Sequence, residues 1–186
     1  KPGQPNPAVR QELDRARQHH AAGRLPEAEA ICRQLLAADS ALPAAWHLLG
    51  MIAHRLGKPD TAVDHIAKAL TLDPGDAAAH SNLGNALKSA GKLDAAVASF
   101  HQALAIAPES AEVHCNLATA FVEGGKLEAG IASCRRALAL KPDFAEAHRH
   151  LASMKIFAAH DDDIRAMEQA YAAPALSDTQ RLHLAF

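Results

Sequence analysis

Large side chains are scarce in this chain of 186 residues: aromatics make up 4%, although 49% of the residues are hydrophobic and alanine recurs throughout. Strands favour β-branched and aromatic residues, so a core built from small ones suits closely packed helices better than a β-sandwich. An excess of either charge is also missing. Nineteen basic and twenty-one acidic residues leave a formal charge of −2, which excludes the basic footprint of a nucleic-acid or anionic-membrane binder. No apolar stretch is long enough to span a bilayer, and no signal peptide is apparent. The expected compartment is therefore the cytoplasm. The three cysteines, Cys32, Cys115 and Cys134, lack close metal-binding spacing such as Cys-x-x-Cys. Only the twelve histidines would shift the charge balance in mild acid.

What the chain has instead is a period. Gly23, Gly57, Gly91 and Gly125 stand 34 residues apart, and so do Trp46, His80, His114 and His148. Leu49, Leu83, Leu117 and Leu151 keep the same step, as do Gly50, Gly84, Ala118 and Ala152. Later in each unit come Ala62, Ala96 and Gly130, then Ile66, Phe100 and Cys134, then Ala69, Ala103 and Ala137, closed by Pro74, Pro108 and Pro142. Such self-similarity is the signature of a stacked repeat. Each unit reads as two amphipathic helices. A glycine such as Gly91 takes a left-handed conformation to end the first helix. Asp94 or Glu128 complements the dipole at the start of the second, and the proline column stops it. Small residues let the paired helices approach closely, and large ones such as Leu83 and Phe100 fill the space between units. One unit cannot bury its apolar face alone, so stability comes from stacking.

The opening Trp46-His47-Leu48-Leu49-Gly50 and the unit length resemble the tetratricopeptide repeat family, over about residues 9–173. The resemblance implies an all-α, right-handed superhelical solenoid of antiparallel helix pairs, whose first helices line a concave binding face. Residues 1–8, rich in proline, are expected as a flexible lead-in. Units are expected at 9–42, 43–76, 77–110, 111–144 and 145–173, the first and last degenerate, with 174–186 starting a further or capping helix. A chain that opens on Lys1 and stops at Phe186 inside a helical pattern reads as a piece of something longer.

Equivalent first-helix positions form rungs: Leu48, Asn82, Asn116 and His150; Met51, Asn85, Thr119 and Ser153; His54, Lys88, Val122 and Ile156. Asn82, Asn85, Lys88, Asn116, Thr119 and His150 are the candidate peptide-binding residues. An asparagine amide offers a donor and an acceptor together, which matches an extended peptide backbone. The Asn82 and Asn116 pair is similar to the asparagine ladder of O-linked N-acetylglucosamine transferases. The same amides equally suit bonds between neighbouring helices. The carboxylate clamp of chaperone-binding repeats is excluded: Asn85 and Asn116 match its asparagines, but Ser81, Glu146 and His150 stand where basic groups are needed.

No catalytic residue, cofactor or metal site is assigned. His80, His114 and His148 share a packing column with Trp46, and helices roughly 8–10 Å apart cannot bring them within about 2 Å of one zinc ion. Gly57-Lys58, Gly91-Lys92 and Gly125-Lys126 imitate a phosphate-binding loop, but its earlier glycine is replaced by Ile52, Ala86 and Ala120. Cys32 and Cys134 occupy the Phe100 column and are expected in the core, whereas Cys115 is expected towards the groove with no histidine base at hand.

The tail carries a second resemblance. Asp162-Asp163-Ile164 through Met167, then Pro174-Ala175-Leu176-Ser177-Asp178 and Arg181-Leu182-His183-Leu184-Ala185-Phe186, is similar to a junction in bacterial tetratricopeptide-sulfotransferase proteins. It implies a non-catalytic, substrate-presenting arm of a larger enzyme. A free-standing adaptor and the repeat domain of an N-acetylglucosamine transferase are the alternatives. In each case the expected partner is a protein or an extended peptide.

Overall fold

The computed structural model describes residues 6–154 and the single position Gln169. The end of the expected fifth unit, the helix expected from 174 and the sulfotransferase-like junction lie outside the described residues. Within them every regular element is an α-helix. The order is α1 (Pro7–Ala21), α2 (Leu25–Ala38), α3 (Pro43–Arg55), α4 (Pro59–Leu72), α5 (Ala77–Ser89), α6 (Leu93–Ile106), α7 (Ala111–Glu123), α8 (Leu127–Leu140) and α9 (Ala145–Met154). The starts of α3, α5, α7 and α9 step by the sequence period, and so do those of α2, α4, α6 and α8.

Helix α1 departs from that rhythm. It begins at Pro7, inside the expected lead-in, because Asn6 Oδ1 accepts the Ala8 N–H at 3.1 Å and the adjoining proline is preset for a first turn. Asp76 and Ser110 cap α5 and α7 in the same manner, accepting from Ala79 and Val113. At the other end of the first helices, Gly23, Gly57, Gly91 and Gly125 have φ of 76°, 70°, 73° and 72°. The residue after each glycine donates its N–H five residues back, as Lys92 does to Leu87 at 2.9 Å and Lys126 to Phe121 at 2.8 Å. This is the Schellman closure, which a side chain at the glycine would strain. Second helices stop two residues before Pro74, Pro108 and Pro142.

The chain divides into two compact units at Lys92–Leu93. In the first, α1 pairs with α2 and α3 with α4, while α5 packs on α4 and α3. Its core joins Ala16, Ala28, Ile31, Cys32, Leu48, Leu49 and Ile52, followed by Ala53, Ala62, Ile66, Ala79 and Ala86. In the second unit α7 pairs with α8, α6 packs on α7, and α9 packs on both members of the pair. Ala111, Cys115, Ala137 and Ala147 form one cluster there, and Ala118, Cys134, Leu151 and Met154 another. The scarcity of large side chains is thus a packing specification: many of the fully buried positions are alanines.

Glycine sets how closely the helices of a pair approach. A Cβ on Gly50 in α3 would meet the Ile66 side chain and lie 3.1 Å from the Ala62 carbonyl of α4. In the α7/α8 pair the roles are exchanged: Ala118 replaces the first-helix glycine, and Gly130 now faces the Ala118 carbonyl at 3.1 Å. Each contact carries one glycine and one alanine, on opposite sides.

Two outcomes test this packing. Gly130→Ala drives a methyl towards Val122 and the Ala118 carbonyl and is expected to cost about 1–3 kcal/mol, read by urea unfolding. Leu117, 3% exposed, sits in the interior of α7, and Leu117→Ala is expected to cost about 2–5 kcal/mol with the folded-state circular dichroism retained. A melting curve equal to the parent's would remove Leu117 from the core.

Candidate functional site

The structure places Asn82, Asn85 and Lys88 on α5, Asn116 and Thr119 on α7, and His150 on α9, all half-buried. Lys88 lies in the last turn of α5, where a cation suits the helix dipole. Thr119 Oγ1 bonds back to the Asn116 carbonyl at 2.8 Å, as Ser153 does to His150.

Asn82 is engaged with a neighbouring helix. Its Nδ2 donates to His47 Nε2 at 2.8 Å, and His47 Nδ1 lies 3.2 Å from Asp76 Oδ2. The two contacts are satisfied together with the imidazole proton on Nδ1. The hydrogen bond from His47 holds the Asp76 carboxyl below its usual range, against the opposing effect of burial. Because Asp76 also caps α5, the chain Asn82–His47–Asp76 ties the face of α5 to its own start and to α3.

Beside this chain, Asn82 and Asn85 line a pocket of about 110 Å³ with Met51, His54, Arg55, Ile66 and His20. His54 Nε2 is 2.9 Å from Ser89 Oγ, and Arg55 donates to the His20 carbonyl. His20 Nε2 is buried with no hydrogen-bond partner among the described residues. Burial, and then the charge of Arg55, lower its pKa. The lining holds a guanidinium, two imidazoles and two amides, and no carboxylate.

In the second unit the groove reading of Cys115 is overturned. Its side chain is 1% exposed and belongs to the Ala111, Ala137 and Ala147 cluster. Burial, then the charge of Glu146, push its thiol up to about 12. A histidine partner does exist: His150 Nδ1 lies 3.4 Å from Cys115 Sγ. Arg149 donates to His150 Nε2 at 2.9 Å. The carboxylate of Glu146, one turn before His150 on α9, completes a group whose ligand atoms all lie within 4.8 Å of one another. Cys32 and Cys134 are fully buried, as their column requires.

These links were missed because they do not follow the period. His47–Asn82, His54–Ser89 and Cys115–His150 are each separated by 35 residues, and so are His20 and Arg55. Aligning equal columns at 34 pairs none of them.

The histidine column behaves as a packing column. Trp46 Nε1 donates to the Ser40 carbonyl at 2.9 Å, and His80, His114 and His148 reach the carbonyls of Pro74, Pro108 and Pro142 at 3.0, 3.4 and 2.8 Å. All four span six residues. The Gly-Lys pairs are turns: Lys92 meets Asp60 at 2.7 Å and Lys126 meets Asp94 at 3.2 Å, a repeated exposed ion pair.

Three family models match the chain, a tetratricopeptide repeat at residues 13–77, a TPR repeat at 84–123 and a tetratricopeptide repeat at 111–144. No curated protein matches it. Among solved structures, Pseudomonas aeruginosa pilF is 19% identical with a TM-score of 0.78, over 95% of this chain and 81% of that one. TTC0263, a thermophilic TPR protein of Thermus thermophilus, is 20% identical with a TM-score of 0.74, over 95% of this chain and 97% of its own. A Thermobaculum terrenum O-GlcNAc transferase mutant is 26% identical with a TM-score of 0.68, over 70% of this chain and 26% of that one. No described helix is long and apolar enough to cross a membrane. With the helix pairs, the glycine closures and these matches in agreement, the chain is an all-α tetratricopeptide-repeat array.

Proposed function

We propose that this array is a protein-interaction scaffold without chemistry of its own, holding an extended peptide or a partner domain on the faces of its first helices. The observation that carries the reading is the pocket on α3 and α5. There two asparagine amides stand beside half-buried Met51, so apolar contact and backbone recognition are offered together. With a guanidinium and imidazoles in the lining and no carboxylate, the favoured ligand is rich in acceptors: backbone carbonyls and acidic or amide side chains. Asn82 spends one amide proton on His47, so Asn85 and Asn116 are the cleaner donors to a bound chain. Thr119 and His150 flank Asn116 on the second unit's face, and Lys88 stands one turn beyond Asn85.

A second reading attaches the array to an enzyme, with the scaffold presenting substrate to a sulfotransferase domain. What favours it is the resemblance of the tail. The likeness to an O-GlcNAc transferase structure favours, by the same logic, a glycosyltransferase. Sequencing the transcript past the Phe186 codon separates these from a free-standing adaptor.

The scaffold reading is tested by selecting peptides from a random display library against this chain and measuring their affinity for variants. Asn85→Ala is expected to weaken the selected peptides roughly fivefold, the worth of one neutral hydrogen bond of about 1 kcal/mol, with the melting temperature unchanged. Asn116→Ala is expected to do the same for peptides held by the second unit. Asn82→Ala is expected to lower the melting temperature as well, because it cuts the link to α3. Peptides indifferent to Asn85, Asn116 and Met51 alike would place binding on another surface.

A further inference from the structure

We propose that Cys115, Glu146 and His150 form a binding site for a single zinc-like divalent cation, held between α7 and α9 of the second unit.

The three side chains bring three kinds of ligand atom, thiol sulfur, carboxylate oxygen and imidazole nitrogen, within 4.8 Å of one another. The geometry agrees with a tetrahedral centre. Zinc–sulfur and zinc–nitrogen bonds of about 2.3 and 2.0–2.1 Å, at a tetrahedral angle, put the two ligand atoms about 3.5 Å apart. Cys115 Sγ and His150 Nδ1 are 3.4 Å apart. Glu146 is exposed at the first turn of α9, so its side chain can swing to close the remaining separation. Glu146 and His150 are four residues apart on one helix and therefore share a face. Cys115 enters from the neighbouring helix, fixed by the surrounding alanines. A thiolate and a carboxylate together offset the two charges of the cation. The mixed sulfur, nitrogen and oxygen set suits zinc or cobalt better than magnesium or calcium, which take oxygen alone.

Comparison with the first unit shows what is particular here. Two repeats earlier, Cys115 and His150 correspond to His47 and Asn82, which make a plain hydrogen bond with the same separation of 35 residues. The position equivalent to Glu146 is Ala78. The first unit also has a carboxylate beside the pair, Asp76, 3.2 Å from His47 Nδ1. The second unit takes its carboxylate from Glu146 on α9 and replaces the amide by an imidazole and the imidazole by a thiol, so that all three groups are good metal ligands.

Without the cation, Arg149 donates to His150 Nε2, which leaves the ring proton on Nδ1, facing the sulfur. Binding reverses this arrangement. The Cys115 thiol proton is released to solvent, the imidazole proton moves from Nδ1 to Nε2, and Arg149 turns away from Nε2. One proton is released per cation bound, and the three protein ligands leave a fourth position to water.

Cobalt(II) titration of the purified full chain tests the site, because tetrahedral cobalt with a thiolate ligand gives a near-ultraviolet charge-transfer band and intense visible bands. The expected result is one equivalent bound, bands that zinc abolishes, and a zinc-dependent rise in melting temperature. Cys115→Ser is expected to lose the charge-transfer band, while Cys32→Ser keeps it. Glu146→Gln, at an exposed position, is expected to weaken cobalt by more than about tenfold, since even outer-shell partners of a metal contribute that much. The proposal is overturned by a parent protein with no band, by a band that survives Cys115→Ser, or by a Glu146→Gln variant that binds as tightly as the parent.

Discussion

The close approach of the two helices in a pair is the contact on which the described architecture rests. At Gly50 and Ala62, and again at Ala118 and Gly130, one backbone carbonyl lies 3.1 Å from where a methyl on the glycine would go. Packing this tight leaves room for few large side chains, so the core is made of alanine, with Phe100, Ile52, Ile66 and Leu151 among its largest buried members. Alanine brings little hydrophobic free energy per residue, because burial scales with area, at about 25 cal/mol per Å². Stability must then come from many repetitions of the contact. That is why α5 packs on α4 and α3, and α9 on α8 and α7.

Once the helix pair is fixed, the link between repeats follows. A first helix has one neighbour before it and one after it, on different sides of its surface. Adjacent residues on a helix are turned by about 100°, so the residue that faces forward and the one that faces back are naturally consecutive. The forward-facing column of one repeat therefore meets the following column of the next, and the contact spans the period plus one. His47–Asn82 and Cys115–His150 are this contact occurring twice. It also explains why Asn82 is committed to α3: the column expected to face ligand is the one that faces back.

The fold was therefore more legible in the sequence than the site. Glycines, prolines and apolar columns each obey a local rule, and the helix starts at Pro43, Ala77, Ala111 and Ala145 keep the same step. Helix α1 escaped the rule because its start is set by Asn6 and Pro7, residues that no other repeat shares. The side-chain contacts were hidden by the same periodicity that revealed the helices, since comparing like columns compares residues that never touch. Cys115 looked groove-facing from its place beside Asn116, yet that neighbour is turned by a quarter of the helix and more. A search at an offset of 35 would have found its histidine.

Twelve histidines suggest a molecule responsive to acid, and the structure divides those among the described residues by environment. In the column shared with Trp46, imidazole and indole do one job: a ring N–H donates to the carbonyl six residues back. For His148 this fixes the proton on Nε2, and Nδ1 is buried with no partner among the described residues. Burial lowers the pKa of His114 in the same column, so its folded form favours the neutral ring. His150 stands two residues beyond His148 on the same helix, and its ring meets a thiol on one side and a guanidinium on the other. Two neighbouring imidazoles of one short helix thus take different parts, because one bonds back to the Pro142 carbonyl of its own repeat and the other reaches across to Cys115 on α7.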